Sequence, residues 1–81
     1  MNATERVRDF IVEELRWSGP REQLSADYPL LDKGVIDSLG LMQIVQLLED
    51  ECGVEIADGD IVPENFASLA AIESLVASKR Q

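Results

Sequence analysis

Apolar side chains in the first part of the chain recur every three or four residues and then lose that period. Val7, Phe10, Ile11 and Leu15 fall on one stripe, with Arg6, Arg8, Asp9, Glu13 and Arg16 on the other faces, which is the pattern of an amphipathic helix packed on one side. The spacing predicts a first helix over residues 3 to 17, capped by Asn2 or Thr4 and stopped by Ser18-Gly19-Pro20, because proline disfavours helix in the residue before it and glycine permits the exit turn. Residues 18 to 36 lack the period, yet Leu24, Tyr28, Leu30, Leu31, Val35 and Ile36 make them too apolar for a solvated linker. A long loop packed on the core is expected, of the kind that crosses a bundle once or carries function.

The period returns at Asp37-Ser38. Aspartate is a strong N-cap, since its carboxylate accepts N–H groups at N2 or N3 and its charge suits the positive helix end. Leu41, Ile44, Val45, Leu48 and Cys52 then form a core-facing stripe, and Gly53 ends the helix where a left-handed residue is expected. Leu39, Met42 and Gln46 lie on a neighbouring strip. On pattern alone, the favoured account of this extra apolar surface is a central helix buried on two sides. After Val54-Glu55-Ile56, the acidic, proline-broken stretch from Asp58 to Asn65 allows at most one or two helical turns. Its Asp58-Gly59-Asp60 lacks the further oxygen ligands and closing glutamate of a calcium loop. Ser68 caps a last helix with Leu69, Ile72, Leu75 and Val76 on one face, ending near Lys79-Arg80, whose charges suit a helix C-terminus. The expected fold is all-α: one domain over residues 1–81, a small four-helix bundle of three main helices and one short one with a long first loop.

Composition narrows the function. With 46% apolar and 28% charged residues, the chain reads as globular rather than disordered. It has no run of ~20 apolar residues and no apolar core near its start, so neither a membrane span nor a signal peptide is expected, and the cytoplasm is the default. A lone Cys52 forms no internal disulfide and, beside Glu49, Asp50, Glu51 and Glu55, reads as a core residue rather than a reactive thiol. Histidine is absent, which removes the usual base for a serine or cysteine nucleophile; no catalytic constellation and no metal site are expected. The net charge is −9, and residues 34 to 78 hold nine acids (Asp37, Glu49, Asp50, Glu51, Glu55, Asp58, Asp60, Glu64, Glu73) and no Lys or Arg. Such a field repels nucleic acid and anionic membranes and steers basic protein surfaces toward the middle of the chain, although it also serves solubility.

The stretch Leu30-Leu31-Asp32-Lys33-Gly34-Val35-Ile36-Asp37-Ser38-Leu39 resembles the phosphopantetheine attachment site of acyl and peptidyl carrier proteins, in which glycine precedes Asp-Ser-Leu at a helix start. The resemblance continues through Gly53-Val54-Glu55-Ile56 and Pro63-Glu64-Asn65-Phe66-Ala67-Ser68-Leu69. It implies a free-standing, monomeric carrier that holds acyl or aminoacyl groups as thioesters on a 4'-phosphopantetheine arm at Ser38. A phosphopantetheinyl transferase takes that arm from coenzyme A and supplies the catalytic groups, with Asp37 capping the helix and aiding recognition. Leu39, Met42, Gln46, Glu49 and Ile61 become partner contacts, for a loading ligase and downstream enzymes with basic docking surfaces. Acids at Glu49-Asp50-Glu51 oppose the helix dipole, a locally unfavourable choice that hints at recognition. The family serves fatty acid, polyketide and nonribosomal peptide synthesis; Gln43 and Gln46, in a neutral first half of the helix, point away from fatty-acid synthesis and toward a specialised pathway. The rival from another class is an unmodified acidic adaptor for a basic partner.

Overall fold

The computed structural model describes residues 3–15 and 17–80. Four helices run α1 (Ala3–Glu14), α2 (Ser38–Cys52), α3 (Pro63–Phe66) and α4 (Leu69–Lys79), with 3₁₀ turns at Arg21–Gln23 and Asp58–Asp60, and no strand among the described residues. This is the expected all-α bundle. Its Cα radius of gyration of 11.5 Å matches the value of about 12 Å for a compact chain of this length.

One apolar core joins every helix to the long loop. Val7 and Ile11 of α1, Ile44 and Leu48 of α2, Phe66 of α3, and Leu69, Ile72 and Val76 of α4 are buried around Leu24 and Leu30 from the loop. The loop is fastened by its backbone as well. Leu30 N–H donates to the Ala67 carbonyl at 2.8 Å and Ala70 N–H to that of Ala26 at 2.8 Å, so the segment before Asp37 hangs on the corner between α3 and α4. Gly34 turns it into α2 at φ 70, a conformation that costs glycine little and other residues much.

The first helix starts at Ala3 as expected but ends early, and Thr4 does not cap it. It stops at Glu14, three residues short of 17. Its exit widens instead, with Leu15 N–H donating to Phe10 O and Trp17 N–H to Ile11 O, both at 3.4 Å. Trp17 then leaves the helix to meet Tyr28 edge to face, 5.5 Å between centroids, while its indole N–H donates to Pro20 O at 2.9 Å. Thr4 lies inside α1 and is not its cap. Its N–H and hydroxyl donate to Glu73 Oε1 of α4, at 3.4 and 2.7 Å, so a carboxylate from another helix serves the orphan donors of the first turn. The alternative cap Asn2, and Arg16, lie outside the described residues.

The α2 and α4 termini match their sequence signals. Asp37 accepts from Gly40 N–H at 2.8 Å and Ser68 from Ala71 N–H at 3.1 Å, while Gly53 ends α2 in the left-handed region at φ 68. Cys52 is half-buried against the core.

An ion pair ties α1 to the end of α2. Arg6 of α1 grips Glu51 of α2 with Nε at 2.6 Å and Nη2 at 2.7 Å, and its hydrogen bond holds the Glu51 carboxyl below its usual range. A carboxylate lowered in this way contributes stability that is present above its unfolded pKa of about 4 and is lost as pH falls through the folded value. Thermal scans should therefore show wild type melting above Glu51→Gln at pH 7, with the gap closing below about pH 4. A gap of equal size at pH 7 and pH 2 would contradict the pair's contribution.

Candidate functional site

The site begins with a helix start. Asp37, in extended backbone at φ −111, turns its carboxylate onto the Gly40 N–H, and Ser38 follows as the first residue of a fifteen-residue helix, exposed to solvent. Among the described residues the Ser38 hydroxyl makes no hydrogen bond, and the backbone N–H groups of Ser38 and Leu39 have no partner. No acid stands in the first turn of α2. An oxygen carrying phosphate at this position meets free N–H groups and the positive end of a helix dipole.

Beside Ser38 runs an open groove of about 540 Å³ between α2 and the segment leading into α3, lined by Leu31, Asp37, Ser38, Leu41, Met42, Ile61, Val62 and Pro63. Its walls are aliphatic, and they carry no cation among the described residues. Leu39 is 70% exposed and Met42 51%. The extra apolar strip of α2 is therefore left largely uncovered, which corrects the expectation of burial on two sides: α1 and the loop pack against one side of α2, and among the described residues only the Ile61–Pro63 segment borders the other, across the open groove. A second depression of about 450 Å³, lined by Arg8, Arg21, Glu22, Leu24 and Ser25, lies elsewhere; its guanidinium groups are engaged by Glu5, Asp9 and the Leu24 carbonyl.

The structure thus gathers Asp37, Ser38, Met42 and Ile61 on one groove. Leu39 stands exposed outside it, and Gln46 is exposed further along α2, donating to Asp50 Oδ1 at 3.0 Å. Glu49 is half-buried and accepts the Ile56 N–H at 3.2 Å, bracing the chain after Gly53. All three acids that oppose the α2 dipole therefore have internal partners: Glu49 the Ile56 N–H, Asp50 the Gln46 amide and Glu51 the Arg6 guanidinium. Sequence reasoning missed Leu31, Leu41, Val62 and Pro63 as groove walls. The available signal was the apolar pair Ile61-Val62 standing alone between acids, with no helical period to draw it into the core.

Comparison with known proteins agrees with this geometry. A family model described as the phosphopantetheine attachment site matches residues 5–76. The chain is 31% identical over 58 residues to the "Probable acyl carrier protein PigG" of Serratia sp. (strain ATCC 39006), covering 72% of this chain and 67% of that one. It is 33% identical over 60 residues to an acyl carrier protein of Solidesulfovibrio magneticus, covering 74% of each. Among solved structures, that of KstB-PCP (apo) superposes with a TM-score of 0.76 at 33% identity, covering 94% of this chain and 84% of the other. The chain belongs to the phosphopantetheine attachment site family. It is a carrier protein, its prosthetic group is 4'-phosphopantetheine, and it works with a transferase and biosynthetic enzymes. The site fits that group: it offers an unengaged hydroxyl, two unpartnered N–H groups beside it, and an aliphatic groove along which an uncharged arm can lie.

Proposed function

We propose that Ser38 is the attachment residue, and that the chain is a single-domain, non-catalytic carrier for acyl or aminoacyl groups in a specialised biosynthetic pathway. The observation that carries this is the exposed Ser38 hydroxyl at the first position of α2, set by the Asp37 cap. Attachment joins the Ser38 oxygen to the phosphorus of the pantetheine phosphate, breaks the pyrophosphate bond of coenzyme A to release adenosine 3',5'-bisphosphate, and passes the hydroxyl proton to a base of the transferase, so this chain needs no base of its own. When bound, the group supplies a thiol on a flexible arm, which holds cargo as a thioester. The chain's residues do the rest: Asp37 fixes the helix start, the free N–H groups of Ser38 and Leu39 receive the phosphate, and the groove walls guide the arm.

Leu39, Met42 and Ile61 form the apolar part of the partner surface, with Gln46 and Glu49 toward its far edge. Enzymes with basic docking surfaces, the loading ligase among them, suit the acidic middle of the chain, whereas nucleic acid and anionic membranes do not. No helix of the described residues is long and apolar enough to cross a membrane, and a monomer in the cytoplasm, where coenzyme A is at hand, suits this role.

The test is to incubate the protein with coenzyme A and a broad-specificity phosphopantetheinyl transferase and to measure intact mass. One added arm, mapped to the peptide containing Ser38, is expected; an unchanged mass would sink the proposal. Association with a basic partner should also slow about three- to tenfold between roughly 0.05 and 0.5 M salt. A salt-independent on-rate would remove the electrostatic part of the docking argument.

A further inference from the structure

The groove wall formed by Ile61 and Val62 belongs to a segment with no long helix to hold it, and Asp60 is the point on which that segment is knotted. The Asp60 carboxylate accepts the Ala57 N–H at 2.9 Å and the Lys79 ammonium at 2.5 Å. Its carbonyl accepts Asn65 Nδ2 at 2.8 Å and the Val62 N–H at 3.0 Å. Four interactions on one residue thus set the course of the chain from Ala57 to Asn65. Three of them are local. The fourth, from Lys79 in the last turn of α4, reaches in from a remote part of the sequence and ties this course to the body of the bundle. Side-chain exposures of 27% for Lys79 and 23% for Asp60 shield the pair more than most surface ion pairs. The ammonium, with the Ala57 N–H behind it, also holds the Asp60 carboxyl below its usual range.

We infer that Asp60 and Lys79 are positioning residues: together they latch the 57–62 segment to α4, so that Ile61 and Val62 stand across the groove from Met42 beside Ser38 and present a preformed surface to partner enzymes. The inference rests on the carrier reading above. Preformation matters because a partner that must first order a loose segment binds more weakly by the free energy of ordering it. Neither residue touches the reacting hydroxyl, so the latch acts on binding and leaves chemistry alone.

Lys79→Gln separates this idea from simple charge. It makes an acidic chain more acidic, and electrostatic attraction to basic partners alone would then tighten docking; a broken latch weakens it. The measurements are amide hydrogen exchange of the carrier and steady-state kinetics of its modification by the transferase with coenzyme A. In Lys79→Gln, exchange at Ile61 and Val62 should quicken about two- to fivefold relative to core amides such as Ile44, the factor expected of a partly shielded ion pair. KM for the carrier should rise by a similar factor with kcat unchanged, and Lys79→Arg should restore both. Unchanged exchange at Ile61 and Val62, a KM that falls, or an arginine variant no better than glutamine would each overturn the latch. If the wild-type protein takes up no arm, the carrier reading fails and the claim about partners fails with it. Exchange is read without any transferase and decides the latch itself in either case.

Discussion

With Ser38 as the proposed attachment residue, replacing it with alanine should abolish uptake of the phosphopantetheine arm while leaving the fold intact. The first half of that expectation follows from chemistry, since the oxygen proposed to carry the phosphodiester is removed; the second follows from the site. The Ser38 hydroxyl has no hydrogen-bond partner among the described residues and the side chain is exposed, so truncation should change stability by no more than about 0.5 kcal/mol. Three other serines are poorer candidates for the arm. Ser68 also opens a helix, but its oxygen accepts the Ala71 N–H; Ser25 donates to Asp27 and Ser78 to the Leu75 carbonyl. Asp37→Ala is a graded control: loss of the cap costs about 1 kcal/mol and frays the turn that aims Ser38, so both melting temperature and modification rate fall. Intact mass and a thermal melt on each variant decide the matter. An arm on Ser38→Ala would place attachment elsewhere, and a collapsed melt for that variant would show that the hydroxyl does structural work the geometry does not reveal.

The parts of this fold that were legible in the sequence are those in which a local rule and the tertiary structure ask for the same residue. Asp37, Gly53 and Ser68 are each favoured by the backbone chemistry of a helix end before any packing is considered, and each sits where that chemistry puts it. The stripe of Ile44, Val45 and Leu48 is buried as its period requires. What was not legible depends on partners far away in sequence. Thr4 looks like a cap by composition, yet Glu73 does the capping from sixty-nine residues away, and no local pattern announces such a pairing. The first helix ends early because Trp17 finds Tyr28 and Pro20, a tertiary gain that outweighs another turn of helix. Leu39 and Met42 were ambiguous for a different reason: apolar character tells that a side chain wants cover but not whether the same chain provides it. Only the arrangement of α1 and the loop shows that this face is left open. Likewise the acids at the end of α2 read as a recognition patch in the sequence, and their internal partners Arg6, Gln46 and the Ile56 N–H have no local pattern to announce them all.

Truncating Phe66 to alanine should remove a large share of the stability of the protein, although α3 is the shortest of the four helices. Four residues make only one turn, far below the length at which a helix is stable alone, so Pro63–Phe66 exists because Phe66 is fully buried in the core, with α3 packed against α4. The ring fixes more than its own turn. The next residue, Ala67, accepts the Leu30 N–H that hangs the long loop on the α3–α4 corner, and the chain just before it carries Ile61 and Val62 to the groove. A buried Phe→Ala change costs about 3–5 kcal/mol through lost transfer free energy and the cavity left behind. A chain of this length has only about 4–12 kcal/mol to lose. Urea denaturation followed by helical signal should show the midpoint falling by at least about a quarter, with Phe66→Leu intermediate and Val62→Ala, at an exposed position, within about 0.5 kcal/mol of wild type. In any Phe66→Ala protein that remains folded, release of the corner should also slow modification at Ser38, because the loop that delivers Asp37 to the start of α2 has lost its anchor. A midpoint shift equivalent to less than about 1 kcal/mol would mean that the corner is held by its backbone hydrogen bonds rather than by the ring, and that the groove is built independently of the core beneath it.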